Sequence, residues 1–407
     1  MNIGIFTDTY TPQINGVVIS IETLANGMRK KGHNVYIFSP NDPALKDMPK
    51  DKIHEEYAYR LPSVPVPFSP EHRLAVGYYK KMYKKVKNLD LDIIHTQSEF
   101  SLGILGQIYG KKLNIPVMHT YHTMWSDYAH YITRIKNEKV NMPVAKLIQK
   151  FSKTFCDHTN AVISPSEKTK EALIKYGVKK PIMIIPTGMN LKPYKEHVPS
   201  NELKEMRKEL GISDNDKVIL FIGRVAEEKS IDVIINEFSK IKEQIKDVKL
   251  LIIGDGPAKK DLEHLAKKLH LSSDIIFAGK KPHEDIAKYY KLGDVFVNAS
   301  TTETQGLTFV EAMAAGIPVV AKYDKNLTGV IKDDFSGSLF DDNEDFSRKV
   351  IKMLSDDEYR KNIISNAEDI ANEYSVENFV SKVEIAYQSL IFDHTKKERK
   401  KWFHFGK

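Results

Sequence analysis

Short apolar runs alternate with amphipathic segments along the first half of the chain. The runs span Ile3–Phe6, Val35–Phe38, Ile93–His95, Val117–Thr120 and Ala161–Ser164. They have the length and composition of buried strands, whereas the segments between them, such as Ile19–Lys31 and Glu167–Tyr176, have the spacing of amphipathic helices. Strands that alternate with helices predict a parallel, doubly wound α/β sheet.

A second series of the same kind follows. Its strand-like runs are Val218–Ile222, Lys249–Ile253, Ile275–Phe277, Val295–Asn298 and Val319–Ala321. The sequence therefore predicts two doubly wound parallel sheets, in domains of residues 1–200 and 201–375. Ligands of such sheets bind at the carboxyl ends of the strands, so we expect a cleft between the two facing domains. Residues 376–407 are predicted to form a helix over Val376–Phe392 that returns to the first domain, followed by a basic, aromatic tail.

Composition limits the classes of protein that this chain can be. Its 407 residues are 41% hydrophobic, which is enough for two cores. The N-terminus shows no secretory signal, and no apolar run approaches the roughly 18 residues that span a bilayer. The single cysteine, Cys156, excludes an internal disulfide framework and is typical of a buried residue in a reducing cytosol.

The net charge of +7 is unevenly distributed. Residues 1–200 contain 28 Lys and Arg against 17 Asp and Glu, a balance of +11, and residues 201–407 contain 33 against 37, a balance of −4. Two clusters mix lysines with apolar side chains, and from them we select Tyr79, Lys80, Lys81, Lys84 and Lys85 in the first and Trp402 and Phe403 in the second. Such clusters suit an anionic membrane surface, although a solvated helix face and a frayed tail explain them equally well. Nucleic acid is not expected, because no nucleic-acid-binding motif accompanies the charge.

Two glutamates eight positions apart flank a loop-to-helix junction in residues 298–318, NASTTETQGLTFVEAMAAGIP. Gly306 precedes a helical run that begins near Leu307, so unpaired helix N–H groups can face a phosphate there. Glu303 in the loop and Glu311 inside the helix can then reach the hydroxyl groups of the same ligand. A lone pair of glutamates at this spacing is more often an ordinary helix surface.

Two other loops suit an anionic ligand. Gly16 stands where a helix follows the first strand, and a glycine there lets the backbone approach a phosphate, although it could be a simple turn residue. Arg224 and Lys229 follow the first strand of the second series, where cations can stabilise a departing diphosphate.

Possible metal ligands are also present. His119, His122, Asp127 and His130 lie close together in the sequence, but their spacing matches no zinc motif. The pairs Asp90/Asp92 and Asp214/Asp216 each precede a strand, where solvated loop acids are expected, so both are interpreted as structural. We expect no metal and no cofactor.

Together these segments resemble the retaining nucleotide-sugar glycosyltransferases of family 4, which have the GT-B fold of two Rossmann-like domains. The resemblance implies roles for individual residues. His122 would contact the donor sugar, Glu303 its hydroxyls, and Arg224 and Lys229 the diphosphate. The remaining donor-binding positions would be Gly16, Gly188, Gly279, Lys280, Lys281, Gln305, Gly306, Leu307 and Glu311. Family members often have two glycines in the first loop, where this chain has Asn15 and Gly16.

A closer resemblance is to the bacterial 1,2-diacylglycerol 3-glucosyltransferases, carried by the segments FTDTY at 6–10, HTQSEFS at 95–101 and ASTTETQGL at 299–307. It implies transfer of glucose from UDP-glucose, a substrate rather than a cofactor, to diacylglycerol at the cytoplasmic face of an anionic membrane. The acceptor would enter past Val64 and Phe68 and the lysine cluster.

The residues alone indicate only a nucleotide sugar used near a membrane. A glycosyltransferase with a soluble acceptor, another lipid acceptor or a galactose donor, and a non-catalytic protein that binds sugar nucleotide or lipid, remain the alternatives.

Overall fold

The computed structural model describes residues 1–13, 15–47, 57–66, 69–77, 79–122, 138–282, 284–300 and 306–405. The chain divides into two compact units. The first comprises Met1–Gly188 and Val376–Lys407, and the second Met189–Ser375. Each unit is built on its own parallel sheet.

Fifteen strands occur in the described ranges, and the first unit contains nine of them. They are β1 Asn2–Phe6, β2 Asn34–Pro40, β3 Ala58–Leu61, β4 Ser63–Val66, β5 Ser69–Ala75, β6 Ile93–Thr96, β7 Val117–Thr120, β8 Ala161–Ser164 and β9 Ile182–Ile184. Seven form a parallel sheet in the order β3-β2-β1-β6-β7-β8-β9, and β4 and β5 form a separate antiparallel hairpin. The order changes direction at β1 and β6, so the loops after these strands border the switch point where such folds bind ligands.

Helices cover both faces of this sheet. Those of the first unit are Gly16–Lys30, Tyr79–Asn88, Ser101–Leu113, Glu138–Asp157, Glu167–Lys175 and Val376–Phe405. Alternate residues of β1 point to opposite faces. Ile3 and Ile5 pack in the core shared with the first and last of these helices, whereas Phe6 stacks on Phe38 at 4.3 Å beneath the second and third.

The second unit contains the remaining six strands. They are β10 Lys217–Ile222, β11 Val248–Ile253, β12 Ile275–Gly279, β13 Val295–Asn298, β14 Val319–Lys322 and β15 Ser338–Phe340. All pair in parallel, in the order β12-β11-β10-β13-β14-β15. The helices are Lys192–Lys195, Ser200–Glu209, Ile231–Gln244, Lys259–Lys268, Ile286–Tyr290, Leu307–Ala314, Asn343–Ser355 and Asp357–Asn372.

The predicted fold class is confirmed, since both units are doubly wound parallel sheets with a hydrophobic core on each face. Each predicted strand occurs within two residues of its expected bounds. The boundary placed after residue 200 differs from the structural division after Gly188. The physical reason is packing, because Leu191 and Tyr194 belong to a core of the second unit, where Tyr194 lies 5.6 Å from Tyr290 between ring centroids.

The last helix packs on the first unit through Val383 and Tyr387, and it continues to Phe405, beyond the predicted end at Phe392. Cys156 is buried, as predicted. Within the described ranges, none of the helices combines the length and the apolar character needed to cross a membrane.

Candidate active site

The loop after β1 is braced by its own side chains. Asn15 Oδ1 accepts hydrogen bonds from the amides of Val17 and Val18, both at 3.0 Å, and Asn15 Nδ2 donates to Thr9 Oγ1 at 3.0 Å. Asn15 therefore satisfies two of the orphan N–H groups at the start of this helix. Gly16 has open space where a side chain would stand, with no atom within 4 Å of a Cβ built there. Room for a ligand is thus present at Gly16, while two amides of the helix N-terminus are already bonded to Asn15.

His122 follows β7 and is held by a chain of side chains. Its Nε2 lies 2.6 Å from Gln97 Oε1, and Gln97 Nε2 lies 3.2 Å from His95 Nδ1. His95 is buried between Tyr387, whose hydroxyl lies 2.6 Å from Nδ1, and Thr120, whose hydroxyl lies 2.7 Å from Nε2. The last helix thus supports the histidine predicted to contact the sugar.

His122 and His95 are both uncharged at neutral pH. Burial lowers the pKa of His122 to about 3, with a further contribution from His119, and burial lowers the pKa of His95 well below its ordinary value. A neutral His122 that bonds to an amide oxygen carries its proton on Nε2. Its Nδ1 is then an acceptor, which suits a sugar hydroxyl.

The sequence predicted a role for His122 but none for Gln97, His95 or Tyr387. Gln97 directly follows the end of β6, beside the switch point, and polar residues in that position are a recognisable signal in doubly wound folds. Tyr387 gave no such signal, because it lies 292 residues from His95 in the chain.

The residues weighed as metal ligands have other partners. His119 is buried and bonds to the Thr96 carbonyl at 3.0 Å and to Glu99 at 3.3 Å. Asp127 and His130 lie outside the described residues. Asp216 accepts the Ser213 N–H group at 2.7 Å within its own turn, and Asp92 accepts the N–H group of Asn2 in β1 at 2.7 Å. In the part of the chain that the structure describes, no group of three or more His, Cys, Asp or Glu could hold a metal ion.

In the second unit, Arg224 follows β10 on a loop held by backbone contacts. The Val225 amide donates to Asp255 at 3.0 Å, and the Ala258 amide donates to Val225 at 3.1 Å. A Cβ on Gly254 would stand 1.8 Å from the Gly223 carbonyl oxygen, so only glycine permits this approach. The loop is therefore fixed independently of its charged side chains.

The two predicted cations occupy different environments on this loop. The Arg224 side chain is 67% exposed, and its guanidinium lies 3.2 Å from Glu228 Oε1. Lys229 is half-buried at the end of the 3-10 turn Glu227–Lys229. Ser300 Oγ donates to the Glu228 carbonyl at 3.1 Å, which joins this turn to the segment after β13. The structure thus places the loop that carries Arg224 and Lys229 beside Ser300, near the start of the segment 298–318 that contains the two glutamates.

Gly306 caps the N-terminus of the helix Leu307–Ala314, and its φ of +63° lies in the left-handed region that favours glycine. A Cβ there would lie 2.9 Å from Leu327. Leu307 is exposed at the first position of the helix. Glu303 and Gln305 lie outside the described residues, so their predicted roles stay predictions.

Glu311 is held by tyrosine. The Tyr290 hydroxyl donates to Glu311 Oε2 at 2.8 Å. Burial and the Glu311 carboxylate raise the pKa of Tyr290 well above its ordinary value, and the same two causes raise the pKa of Tyr194. Both phenols therefore stay protonated and able to donate. Sequence reasoning missed these tyrosines because each lies on a different helix from Glu311.

The other predicted donor-binding positions divide into two kinds. Gly279, with a φ of +70°, ends β12 in open space, next to exposed Lys280. Lys281 Nζ lies 5.2 Å from the Tyr289 ring centroid. Gly188 differs, because a Cβ there would lie 2.8 Å from Phe379. Close packing against the last helix already explains this glycine.

The residues predicted to contact the acceptor and the membrane lie on the first unit. Val64 in β4 is 46% exposed. The helix Tyr79–Asn88 buries Met82 and Val86 and exposes Lys80, Lys81, Lys84 and Lys85, with Lys85 Nζ 5.4 Å from the Tyr59 ring centroid. Phe68 lies outside the described residues, and so do the side chains of Tyr79, Trp402 and Phe403.

Family models and known proteins match most of this chain. The family model Glycosyltransferase Family 4 matches residues 14–192, and the model Glycosyl transferases group 1 matches residues 203–370. The chain is similar to an alpha-monoglucosyldiacylglycerol synthase of Streptococcus pneumoniae, at 36% identity over 97% of this chain and 87% of that protein. An enzyme of the same name from Acholeplasma laidlawii is 33% identical over 98% of this chain and 100% of that protein.

Solved structures share the fold. A structure of Anabaena HepE in complex with UDP has a TM-score of 0.70 at 20% identity, over 96% of this chain and 100% of that one. Sucrose-phosphate synthase from Thermosynechococcus elongatus has a TM-score of 0.64 at 20% identity, over 96% and 99%. With near-full-length relatives above 30% identity and two sheets of the expected topology, the chain belongs to the family 4 glycosyltransferases and has their GT-B fold.

Proposed function

We propose that this glycosyltransferase moves glucose from UDP-glucose to 1,2-diacylglycerol with retention, making α-monoglucosyldiacylglycerol as a peripheral protein at the cytoplasmic face of the membrane. The observation that carries the proposal is the near-full-length similarity to two enzymes named alpha-monoglucosyldiacylglycerol synthase. Solved structures of the same fold hold UDP or UDP-glucose, which supports a uridine diphosphate donor.

The second unit would bind and activate the donor. Arg224 and Lys229 would stabilise the negative charge that grows on the departing diphosphate, together with the amides of the helix after Gly306. Glu311, with its carboxylate oriented by Tyr290, would accept hydrogen bonds from the ribose hydroxyls. The backbone at Gly279, which has open space on its Cβ side, would border the nucleobase, beside Lys280 and Lys281.

The first unit would contribute residues that contact the donor sugar and the acceptor. His122, neutral and oriented by Gln97, would accept a hydrogen bond from a sugar hydroxyl through Nδ1. Glu303, which belongs to the second unit, would hold other sugar hydroxyls. Departure of the diphosphate breaks the anomeric C–O bond, and the acceptor oxygen forms the new bond on the same face while a diphosphate oxygen takes its proton. This step uses cations and helix amides in place of a metal.

Parallel incubations test which sugar donor the enzyme uses and whether diacylglycerol is the acceptor. The protein is mixed with UDP-glucose, UDP-galactose or GDP-mannose and vesicles that contain diacylglycerol, and the lipid product is identified by mass spectrometry and its anomeric configuration by proton NMR coupling. We expect a monohexosyl lipid from UDP-glucose alone, in the α configuration, and the same rate when a chelator is added.

The site assignment needs its own control. Glu303→Gln and Arg224→Ala are compared with Lys280→Gln, because the nucleobase loop is proposed to act through its backbone. We expect the first two variants to lose transfer and the third to keep it. Full activity in the first two would refute the site, whereas transfer only to a water-soluble acceptor would refute diacylglycerol as the substrate.

A further inference from the structure

Three helices lie side by side over one face of the first unit's sheet. We call them the lysine face, and they are Tyr79–Asn88, Ser101–Leu113 and Glu138–Asp157. The rings of Tyr83 and Tyr109 join the first helix to the second at 5.7 Å between centroids. Gln107 donates to the Phe155 carbonyl at 2.9 Å and joins the second to the third. The lysine cluster found in the sequence is therefore one edge of a larger surface.

The charge of this surface is strongly one-sided. Its three helices contain 11 lysines and only two acidic residues, Glu138 and Asp157, and Asp157 pairs with Lys153 at 2.6 Å. The two helices on the opposite face of the sheet, Gly16–Lys30 and Val376–Phe405, contain eight basic and five acidic residues. The excess positive charge of the first unit is thus concentrated on one side.

Large apolar side chains are exposed among these lysines. On the helix Glu138–Asp157, Leu147 is 69% exposed and Phe151 40%, whereas Phe155, one turn after Phe151, and Cys156 are buried. The Phe151 ring stacks on Phe100 at 6.4 Å between centroids. The exposed apolar ridge consists of Phe100, Ile104, Ile108, Met142, Leu147 and Phe151.

Lysine and apolar residues alternate along the ridge. Lys146 and Lys150 are exposed one turn apart, each directly before a ridge residue, Leu147 and Phe151. An exposed stripe that combines apolar side chains with lysine and lacks acidic residues is the pattern of a helix that lies in a membrane interface. The lysine ammonium groups can remain at the level of the lipid phosphates while the ridge enters the acyl boundary.

We propose that the lysine face, with the apolar ridge at its centre, docks on an anionic lipid bilayer. This inference rests on the proposed function, and it extends the membrane contact from the helix Tyr79–Asn88 to two further helices. A second copy of the chain is a poorer occupant, because a symmetric contact would place one set of lysines against another without acidic partners. Phospholipid headgroups supply the missing negative charge.

Vesicle co-sedimentation tests the proposal. The variant Leu147→Gln/Phe151→Gln is compared with wild type on phosphatidylcholine vesicles that contain about a third phosphatidylglycerol. We expect binding to weaken about a hundredfold, since two large apolar side chains leave the interface. Lys146→Gln/Lys150→Gln should weaken binding about tenfold at low salt and little at high salt. The matched control is Ile174→Gln, an exposed isoleucine on another helix of the same unit.

A second measurement separates this proposal from the proposed function. Activity is measured on a short-chain diacylglycerol dispersed in water, where the ridge variant should match wild type. Vesicle binding by the ridge variant equal to that of wild type would overturn the docking surface. Dissociation of a wild-type dimer by the ridge substitutions, without change in vesicle binding, would overturn it in favour of a second copy. Vesicle binding without transfer to any diacylglycerol would refute the proposed function and leave the docking surface standing.

Discussion

The two units hold their functional residues in different ways. In the first unit, His122, Gln97 and His95 form a largely buried chain of hydrogen-bonded side chains. In the second, Arg224 is exposed on a loop fixed by backbone contacts, and its side chain pairs at the surface with Glu228. The first arrangement couples function to stability, because each member leaves a polar atom unsatisfied when it is removed. The second arrangement separates function from stability, because the backbone and not the Arg224 side chain fixes the loop.

The largest effect is expected at Arg224. Arg224→Ala should reduce kcat by about a hundredfold to a thousandfold, because it removes a cation from the departing diphosphate. The melting temperature should not change, since an exposed ion pair contributes little to stability. Steady-state kinetics and thermal unfolding of the same sample measure both. Glu228→Gln is the matched control, with near-normal kcat, and a large drop in melting temperature in Arg224→Ala would contradict the comparison.

Substitution of Gln97, unlike substitution of Arg224, should lower stability as well as kcat. Gln97→Met removes the acceptor of the His122 Nε2 proton, so we expect kcat to fall about tenfold and the free energy of unfolding to fall by about 1 to 3 kcal/mol. Urea unfolding and kinetics measure the two effects. Tyr387→Phe should lower stability with a smaller effect on kcat, because Tyr387 is two hydrogen bonds further from His122 than Gln97 is. A Gln97→Met protein with normal stability and normal kcat would show that the chain does not position His122.

The histidines also predict a pH dependence of stability. The pKa of His122 is lowered to about 3 in the folded state, whereas an unfolded histidine titrates near 6.5. Below that pH the unfolded state binds more protons, so the free energy of unfolding should fall as the pH falls from about 6.5. Each such histidine contributes at most about 1.4 kcal/mol per pH unit.

His122→Asn should reduce this slope between pH 6.5 and 5, measured by urea unfolding at each pH. Asp8 titrates in the opposite sense, because burial raises its pKa in the folded state. It is present in both proteins, so its contribution cancels in their difference. Identical slopes in wild type and His122→Asn would contradict the lowered pKa.

The smallest effects distinguish two glycines that were both predicted to bind the donor. Gly188→Ala places a Cβ 2.8 Å from Phe379 and 3.0 Å from the Val376 backbone, so we expect a loss of about 1 kcal/mol in stability. Gly16→Ala meets no atom, so stability should stay within about 0.5 kcal/mol while the KM for the sugar nucleotide rises. Equal loss of stability in both variants would show that Gly16 is a packing residue too.

Some elements of the fold could not be read from the sequence. The sequence did not predict the strand Ala58–Leu61 or the hairpin of β4 and β5. The segments Ala58–Leu61 and Ser63–Val66 are only four residues long, and Ser69–Ala75 is mostly polar, so none shows the apolar run of a buried strand or the periodicity of a helix. The strand Ile182–Ile184, which pairs with β8 at the edge of the sheet, is too short to be distinguished from a loop.

The sequence by itself determined the two doubly wound sheets, since apolar runs of strand length alternating with amphipathic helices permit few other arrangements. It also selected His122, Arg224 and Glu311 as candidate site residues, because chemically competent residues follow strand ends or begin helices. Only the tertiary structure decided which side chains orient them. The His95–Tyr387 contact joins residues nearly 300 positions apart, and the lysine face joins three helices whose exposed sides depend on how each packs against the sheet. Contacts of that kind leave no periodic signal in the chain, because they are set by where the core places each helix.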